Sequence, residues 1–494
     1  MTQVVIFSDA SVSFNIPIKS SGPYRVASEL RNLGLQCQVI SLLFHFTEDE
    51  IYKLATKFID NDTKIVGISS NFWFHLNDIQ LRKIKILEER TRAIGAKFIL
   101  GGNMSYLFAD KLYFDACFET YSEYKLTLYV DAILKQKDIP TPNRISNVGT
   151  PTYISNSKDW DFNSSKINYV KEDCLNYGES VVIEISRGCI FKCDFCLFPL
   201  NGKKKLDYIK HENTLKEELI ENYEKYGIQY YTFSDDTIND STYKLEYLHR
   251  VISNLPFEFK FTGYIRLDLL YAHKEQIKLF KEMGLTGTFF GVESFNYEAA
   301  KKIGKGMKPE KIKQFLYDLK KTYWGDNINI NVGLISGLPG ETLASQKETI
   351  DYILDEQNCL LDRIHSSALN IPNPLLNNFA EKSLFEINAS KHGFYWPNNK
   401  SHDWKNYNYE IKSSEQARHL SEEIVNAATR THRIWKSNFG LMITYNMAHF
   451  ADEPKTFDEL QNMPRKMYTD WFVKNIKVMS AKYIDNYKNK IFGL

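Results

Sequence analysis

Cys189, Cys193 and Cys196 stand in the run E-I-S-R-G-C-I-F-K-C-D-F-C-L-F-P, a C-x3-C-x2-C spacing. Two thiolates separated by two residues can turn back onto one metal centre. A third, four residues upstream, reaches it when the chain loops around. Iron–sulfur clusters are held by such thiolates, and a cubane has more iron corners than three cysteines can occupy. The iron left open is a place for chemistry. A structural zinc site calls for four ligands, usually in paired knuckles, and the chain has no second C-x2-C and no H-x3-H. The remaining cysteines, Cys37, Cys117, Cys174 and Cys359, are scattered. They read as core thiols in a reducing compartment, not as a disulfide framework.

The elements that must position these thiols follow from the apolar pattern. Val181–Ile185 reads as a buried strand running into the cysteine loop, so the ligands sit at a strand's C-terminal end, where α/β proteins place their sites. Further strand patterns are Gln229–Ser234, ending at Asp235 and Asp236; Phe257–Arg266; Gly287–Val292, ending at Glu293 and Ser294; Asn329–Ile335, ending at G-L-P-G-E-T; and Arg363–Leu369. Helical stretches such as Glu217–Tyr226, Lys274–Met283 and Pro309–Lys321 lie between them. Six β/α units predict a partial barrel, short of the eight that close one. Cys189, Asp235, Arg266, Glu293 and Glu341 would then converge at its mouth.

Ahead of the barrel, short apolar runs (Val4–Ser8, Cys37–Leu42, Ile65–Ser70, Phe98–Gly101, Asp115–Phe118) alternate with helical patterns at Tyr24–Leu33, Glu48–Ile59, Asp78–Ile94 and Glu123–Leu134. That rhythm predicts an α/β fold beginning with a doubly wound parallel sheet. The expected organisation is this sheet over 1–140, a Pro-, Asn-, Ser- and Asp-rich linker over 141–178, the partial barrel over 179–375, and a mainly helical region over 376–494. Helices are expected there at Ser413–Ala428 and Asp458–Lys482. A net charge of +1 gives no electrostatic case for nucleic acid or an anionic membrane. The chain opens on a strand pattern with neither an apolar leader nor a spanning segment, which reads as cytoplasmic. Lys203, Lys204 and Lys205 read as a solvated loop, and Trp396, His402, Trp404, Trp435, His449 and Trp471 as core packing.

The order S-R-G-C-I-F-K-C-D-F-C, F-S-D-D, Y-I-R-L-D, F-F-G-V-E-S, I-G-K-G, G-L-P-G-E-T resembles the radical S-adenosylmethionine (SAM) superfamily, from Val181 to about Leu375. More closely, it is similar to the subgroup with an N-terminal cobalamin-binding-type domain. The resemblance implies that Cys189, Cys193 and Cys196 ligate a 4Fe–4S cluster whose open iron is chelated by SAM. Reductive cleavage then yields methionine and a 5′-deoxyadenosyl radical, with electrons from a donor such as a flavodoxin or ferredoxin. It also implies that Phe195 lies beside the adenine, Asp235 at the SAM amino group, Arg266 at the carboxylate, and Glu293 and Ser294 at the ribose or methionine part. Ile190 stands where many relatives carry proline, which alters loop stiffness and removes no ligand.

In the N-terminal region, Ser69, Ser70, Gly101 and Gly102 match the strand-end loops where the family lodges cobalamin. There is no D-x-H-x-x-G to ligate cobalt, and the loop after the fifth strand, Glu119-Thr120-Tyr121-Ser122-Glu123, lacks the glycine that relatives carry. With cobalamin bound, the resemblance implies methyl transfer to an unactivated carbon of a small molecule or peptide. Its rivals are a cobalamin-independent rearrangement, oxidation or ring closure, and a non-catalytic iron–sulfur protein for electron transfer or sensing.

Overall fold

Uninterrupted apolar runs such as V-V-I-F-S are the mark of strands covered on both faces. In the computed structural model the first sheet is built from β1 (Val4–Ser8), β2 (Cys37–Ile40), β3 (Ile65–Ser69), β4 (Lys97–Gly101), β5 (Ala116–Glu119), β6 (Arg144–Ile145) and β7 (Pro151–Ile154). The structure describes residues 2–9, 16–70, 73, 76–102, 105–155, 160–196, 209–376, 382–398 and 400–493; Lys203, Lys204 and Lys205 lie outside them. The strand order is β2-β1-β3-β4-β5-β7-β6, parallel except for β6. The chain reverses direction between β1 and β3, which makes the sheet doubly wound. Capping boxes, Thr47 with Glu50 and Asn77 with Gln80, start two of its helices, Glu48–Phe58 and Asp78–Ala93.

β6 and β7 arise from the stretch read as a linker. P-T-Y-I is apolar enough to join the sheet because Tyr153 stacks on Phe118 with ring centroids 5.2 Å apart. This unit comprises 1–182 with 213–228 and 477–494. Its last segment is anchored by Tyr487, whose hydroxyl accepts from the Ser41 amide at 2.8 Å.

The second unit comprises 183–212 and 229–476. Its sheet runs in sequential order from β8 (Val181–Ile183) through β9 (Tyr230–Phe233), β10 (Lys260–Ile265), β11 (Leu285–Glu293) and β12 (Asn329–Ser336) to β13 (Arg363–Ala368). The pairings from β9 to β13 are parallel, giving the expected six-stranded partial barrel. β8 stops two residues short of the expected Ile185 because the Ile185 amide turns to a side chain, described below. Helices cover the outer face, where Phe290 stacks on Trp324 at 6.3 Å.

Two helices depart from the sequence pattern. Pro309–Asp318 gives way to a wide π turn over Leu319–Trp324, which lets the Trp324 indole N–H donate to the Ile277 carbonyl at 3.2 Å. The expected Asp458–Lys482 helix is two, Phe457–Asn462 and Arg465–Phe492, broken at Pro464, whose ring and missing N–H end one helix and admit the next. Among the described residues no helix is long and apolar enough to cross a membrane.

Candidate functional site

The cysteine loop leaves β8 and is fixed from below by a buried carboxylate. Asp235 accepts hydrogen bonds from the Ile185 amide (3.0 Å), the Ser186 amide (2.7 Å) and the Ser186 hydroxyl (2.6 Å). The Lys244 ammonium, wholly buried, donates to the Ser186 hydroxyl (2.6 Å) and the Thr237 carbonyl (2.8 Å), and lies 3.4 Å from both Asp235 and Asp240. Asp235 was expected at the SAM amino group. Its carboxylate is buried and holds the backbone that leads into Cys189, so it anchors the loop.

Cys189 is buried with its sulfur 3.4 Å from the Thr237 hydroxyl; burial pushes its thiol pKa up, and Thr237 and the Phe191 amide pull against it. The Cys196 amide donates to the Cys193 carbonyl at 3.0 Å, turning the loop, and the Phe385 amide holds it by donating to the Asp194 carbonyl at 3.0 Å. Arg266 directs a guanidinium N–H toward the Cys193 sulfur at 3.6 Å, lies 3.8 Å from the Phe191 ring centroid, and is braced by Asp268 at 2.5 Å. The three sulfurs are not drawn to a point: among the described residues, no group of three Cys, His, Asp or Glu side chains converges as a metal site. The donor set nevertheless fits an iron–sulfur cluster, with three thiols on one short loop, a guanidinium donating toward the Cys193 sulfur and a hydroxyl against that of Cys189. Phe195 is half-buried against the apolar cluster that includes Leu338, Ile371, Phe385 and Trp404.

The end of β11 is strained. A register shift between Gly291 and Glu293 leaves Glu293 at φ +66, a conformation that costs an L-residue of order 1–3 kcal/mol. Its carboxylate folds back over Gly291, where a Cβ would stand 2.3 Å from Oε1. Burial raises the Glu293 pKa against the pull of Lys305 and Arg266. Lys305 donates to the Gly291 carbonyl at 2.7 Å and lies 3.8 Å from Glu293. Next in sequence, the buried Ser294 donates to Glu341 at 2.7 Å and accepts from the Asn296 amide at 3.0 Å. Glu341 closes its own G-L-P-G-E-T turn by accepting from the Gly337 (2.8 Å) and Leu338 (3.2 Å) amides, and burial lifts its carboxyl to about 7. Ser294, expected to face the ribose or methionine, is thus tied to that turn.

In the first unit, Ser69 and Gly101 are partners in register at the carboxyl ends of β3 and β4. Ser70, fully buried, donates both its amide (2.8 Å) and its hydroxyl (2.9 Å) to the Gly101 carbonyl, which joins the two strand ends. A Cβ on Gly101 would meet only the Phe118 carbonyl, at 3.8 Å, so the fold itself does not demand glycine there; Gly102 does need it, at φ +105. The loop after β5 has no glycine, yet Thr120 takes φ +60 in its place. Buried oxygens of Ser8, Glu119 and Thr120, at the carboxyl ends of β1 and β5, have no hydrogen-bond partner among the described residues. Orphaned polar atoms beside a glycine that the fold leaves unexplained fit a bulky polar ligand such as cobalamin.

The sequence pattern did not single out Thr237, Lys244 or Lys305. Lys305 sits within the I-G-K-G motif, and Lys244 follows Asp240 by one helical turn; either spacing was a readable signal.

Residues 183–353 match the family model of the Radical SAM superfamily. A protein of Pyrococcus horikoshii, described as an uncharacterized methyltransferase, is 29% identical over 182 residues, which is 37% of this chain and 38% of that protein. The chain thus matches well under half the length of that curated relative. Among solved structures, the radical SAM methyltransferase TsrM from Kitasatospora setae, with cobalamin and a [4Fe-4S] cluster bound, superposes with a TM-score of 0.64 at 12% identity, over 98% of this chain and 99% of that one. The cobalamin-dependent radical SAM enzyme OxsB with aqua-cobalamin gives 0.60 at 15% identity, over 100% of this chain and 80% of that one. At such identities the likeness is one of fold.

Proposed function

We propose that this protein is a cobalamin-assisted radical SAM methyltransferase acting on an unactivated carbon of a small molecule or peptide. The observation that carries it is the likeness to TsrM over 98% of this chain, from the doubly wound sheet through the barrel to the C-terminal helices. When bound, the cluster with SAM supplies one-electron chemistry and cobalamin a carrier for the methyl group. The residues of this chain hold and orient these groups.

Cys189, Cys193 and Cys196 would bind iron as thiolates. Arg266 donates toward the Cys193 sulfur and the Thr237 hydroxyl lies against that of Cys189, contacts that tune the charge the cluster carries. Asp235 and Lys244 fix the loop from beneath. Glu293, aimed by its strained backbone, is the carboxylate we assign to SAM, and Arg266 the cation facing its carboxylate side; Phe195 supplies an apolar surface for the adenine. Ser69, Gly101 and Gly102 line the cobalamin side of the first sheet. Electrons come from a small donor such as a flavodoxin or ferredoxin, in a reducing cytoplasm. Anaerobically reconstituted protein, given SAM and a strong reductant, is expected to form 5′-deoxyadenosine, and Cys193→Ala to form none. Equal cleavage by the two proteins would overturn the reading.

A further inference from the structure

On the inner face of the barrel, opposite the covering helices, strand register places Tyr264, Phe289, Asn331 and Arg363 in one row across β10 to β13. The parallel partners of a row share a face. One row higher, His365 stands beside Gly333, and the Phe289 ring leans across that glycine, where a Cβ would meet it at 2.6 Å. Tyr264 keeps 38% of its surface open and His365 is also exposed, so this face looks onto a hollow. Phe439, at the start of the helix Asn438–Ala448, faces Tyr264 at 5.1 Å, and Phe289 lies 6.4 Å from His365. The walls are therefore aromatic.

The polar groups of this face are unfinished. Arg266 is braced by Asp268, and Lys305 lies by Glu293. Arg363 has no such carboxylate: among the described residues its side chain makes neither a hydrogen bond nor an ion pair, and its buried Nε is without a partner. Beside it, the Asn331 side-chain oxygen is buried and unpaired, and so are both amide ends of Asn329 and Asn438 on the floor. A desolvated cation with no counter-charge is costly to keep, and protein folds retain such groups where a ligand completes them.

We propose that the row Tyr264–Phe289–Asn331–Arg363, with His365 above it, is the substrate subsite of the barrel and takes a carboxylate carried on a flat apolar body. The proposal rests on the barrel interior being the reaction chamber. One unpaired cation matches one negative charge. A phosphate dianion would bring a second charge to a pocket whose other cations already have acids. Guanidinium geometry suits a carboxylate held by two parallel N–H bonds. Burial and Arg363 together lower the His365 pKa, leaving its neutral ring to pack or to donate a single hydrogen bond. Tyr264, Phe289 and Phe439 offer the ring faces on which a flat body stacks.

The test uses the reconstituted full chain in equilibrium dialysis with naphthylacetate and its uncharged isostere naphthylacetamide. The acid is expected to bind at least about tenfold more tightly than the amide. Arg363→Gln should erase that preference and Arg363→Lys should keep part of it. Arg363→Met should melt at the same temperature or higher, since removing a half-buried cation whose Nε is unpaired relieves the fold, whereas a structural arginine would lower it. Equal binding of acid and amide, no binding of either, or unchanged preference in Arg363→Gln would overturn the proposal. Formation of 5′-deoxyadenosine without probe reports separately on the radical SAM reading, so the two can fail independently.

Discussion

Glu293 shows how a single backbone angle can mark a site. A glutamate at φ +66 survives only where surrounding structure imposes it, and here a bulge, a glycine two residues back and Lys305 do so. Glu293→Ala is expected to keep the cluster, since the cysteines sit on another strand, while SAM affinity falls by roughly 10–150-fold, the loss of one charge-assisted hydrogen bond. Unchanged affinity by calorimetry would remove Glu293 from the SAM site. Lys244 plays the opposite part. Lys244→Met leaves Asp235 and Asp240 buried without their shared cation, which should cost about 3–5 kcal/mol in denaturant unfolding and loosen iron retention with it. Stability within error of the native protein would show that the carboxylates find another partner. The cysteines were legible from spacing alone. Asp235 was legible as a strand-end carboxylate, but its hold on the Ile185 and Ser186 backbone was not, because a strand-end aspartate looks the same in sequence whether it faces a ligand or its own backbone.

At the scale of elements, the turn closed by Glu341 carries a pH dependence. Its carboxyl titrates near 7 in the folded chain against about 4.5 unfolded, so the folded state holds a proton that the unfolded state has lost. Stability from this group is complete below about pH 4.5 and declines as pH rises to about 7, by about 3 kcal/mol. Melting curves over that range should fall more steeply for the native chain than for Glu341→Gln, which cannot ionise; parallel curves would place the carboxyl's titration elsewhere. In the first sheet, Thr120 holds φ +60 with a β-branched side chain, an expensive conformation. Thr120→Gly should raise stability by about 1 kcal/mol, read from the denaturation midpoint, and a fall would mean that the hydroxyl does unseen structural service. Strands and their order were readable because apolar runs of parallel strands are unambiguous. The β6–β7 pair escaped notice because its burial rests on one stacked tyrosine, Tyr153, in a stretch whose Pro and Asn content belongs to turns.

At the scale of the molecule, two parallel sheets each end in unfinished polar groups. The second carries three thiols and a strained glutamate at its carboxyl ends, and an unpaired arginine side chain at the start of its last strand. The first carries Ser8, Glu119 and Thr120 with unsatisfied buried oxygens. Sequence alone reached the class of chemistry through the ordered motifs from Cys189 to Glu341. It could not reach Arg363, because an arginine opening a strand is ordinary until register shows that no acid stands opposite it. The central claim is that one chain holds both an iron–sulfur cluster and a corrin. Protein reconstituted anaerobically with iron, sulfide and hydroxocobalamin, then passed through gel filtration, should elute with about four iron per chain and an equimolar corrin spectrum. Iron at that level with the corrin bands absent would contradict the account and leave a cobalamin-free enzyme.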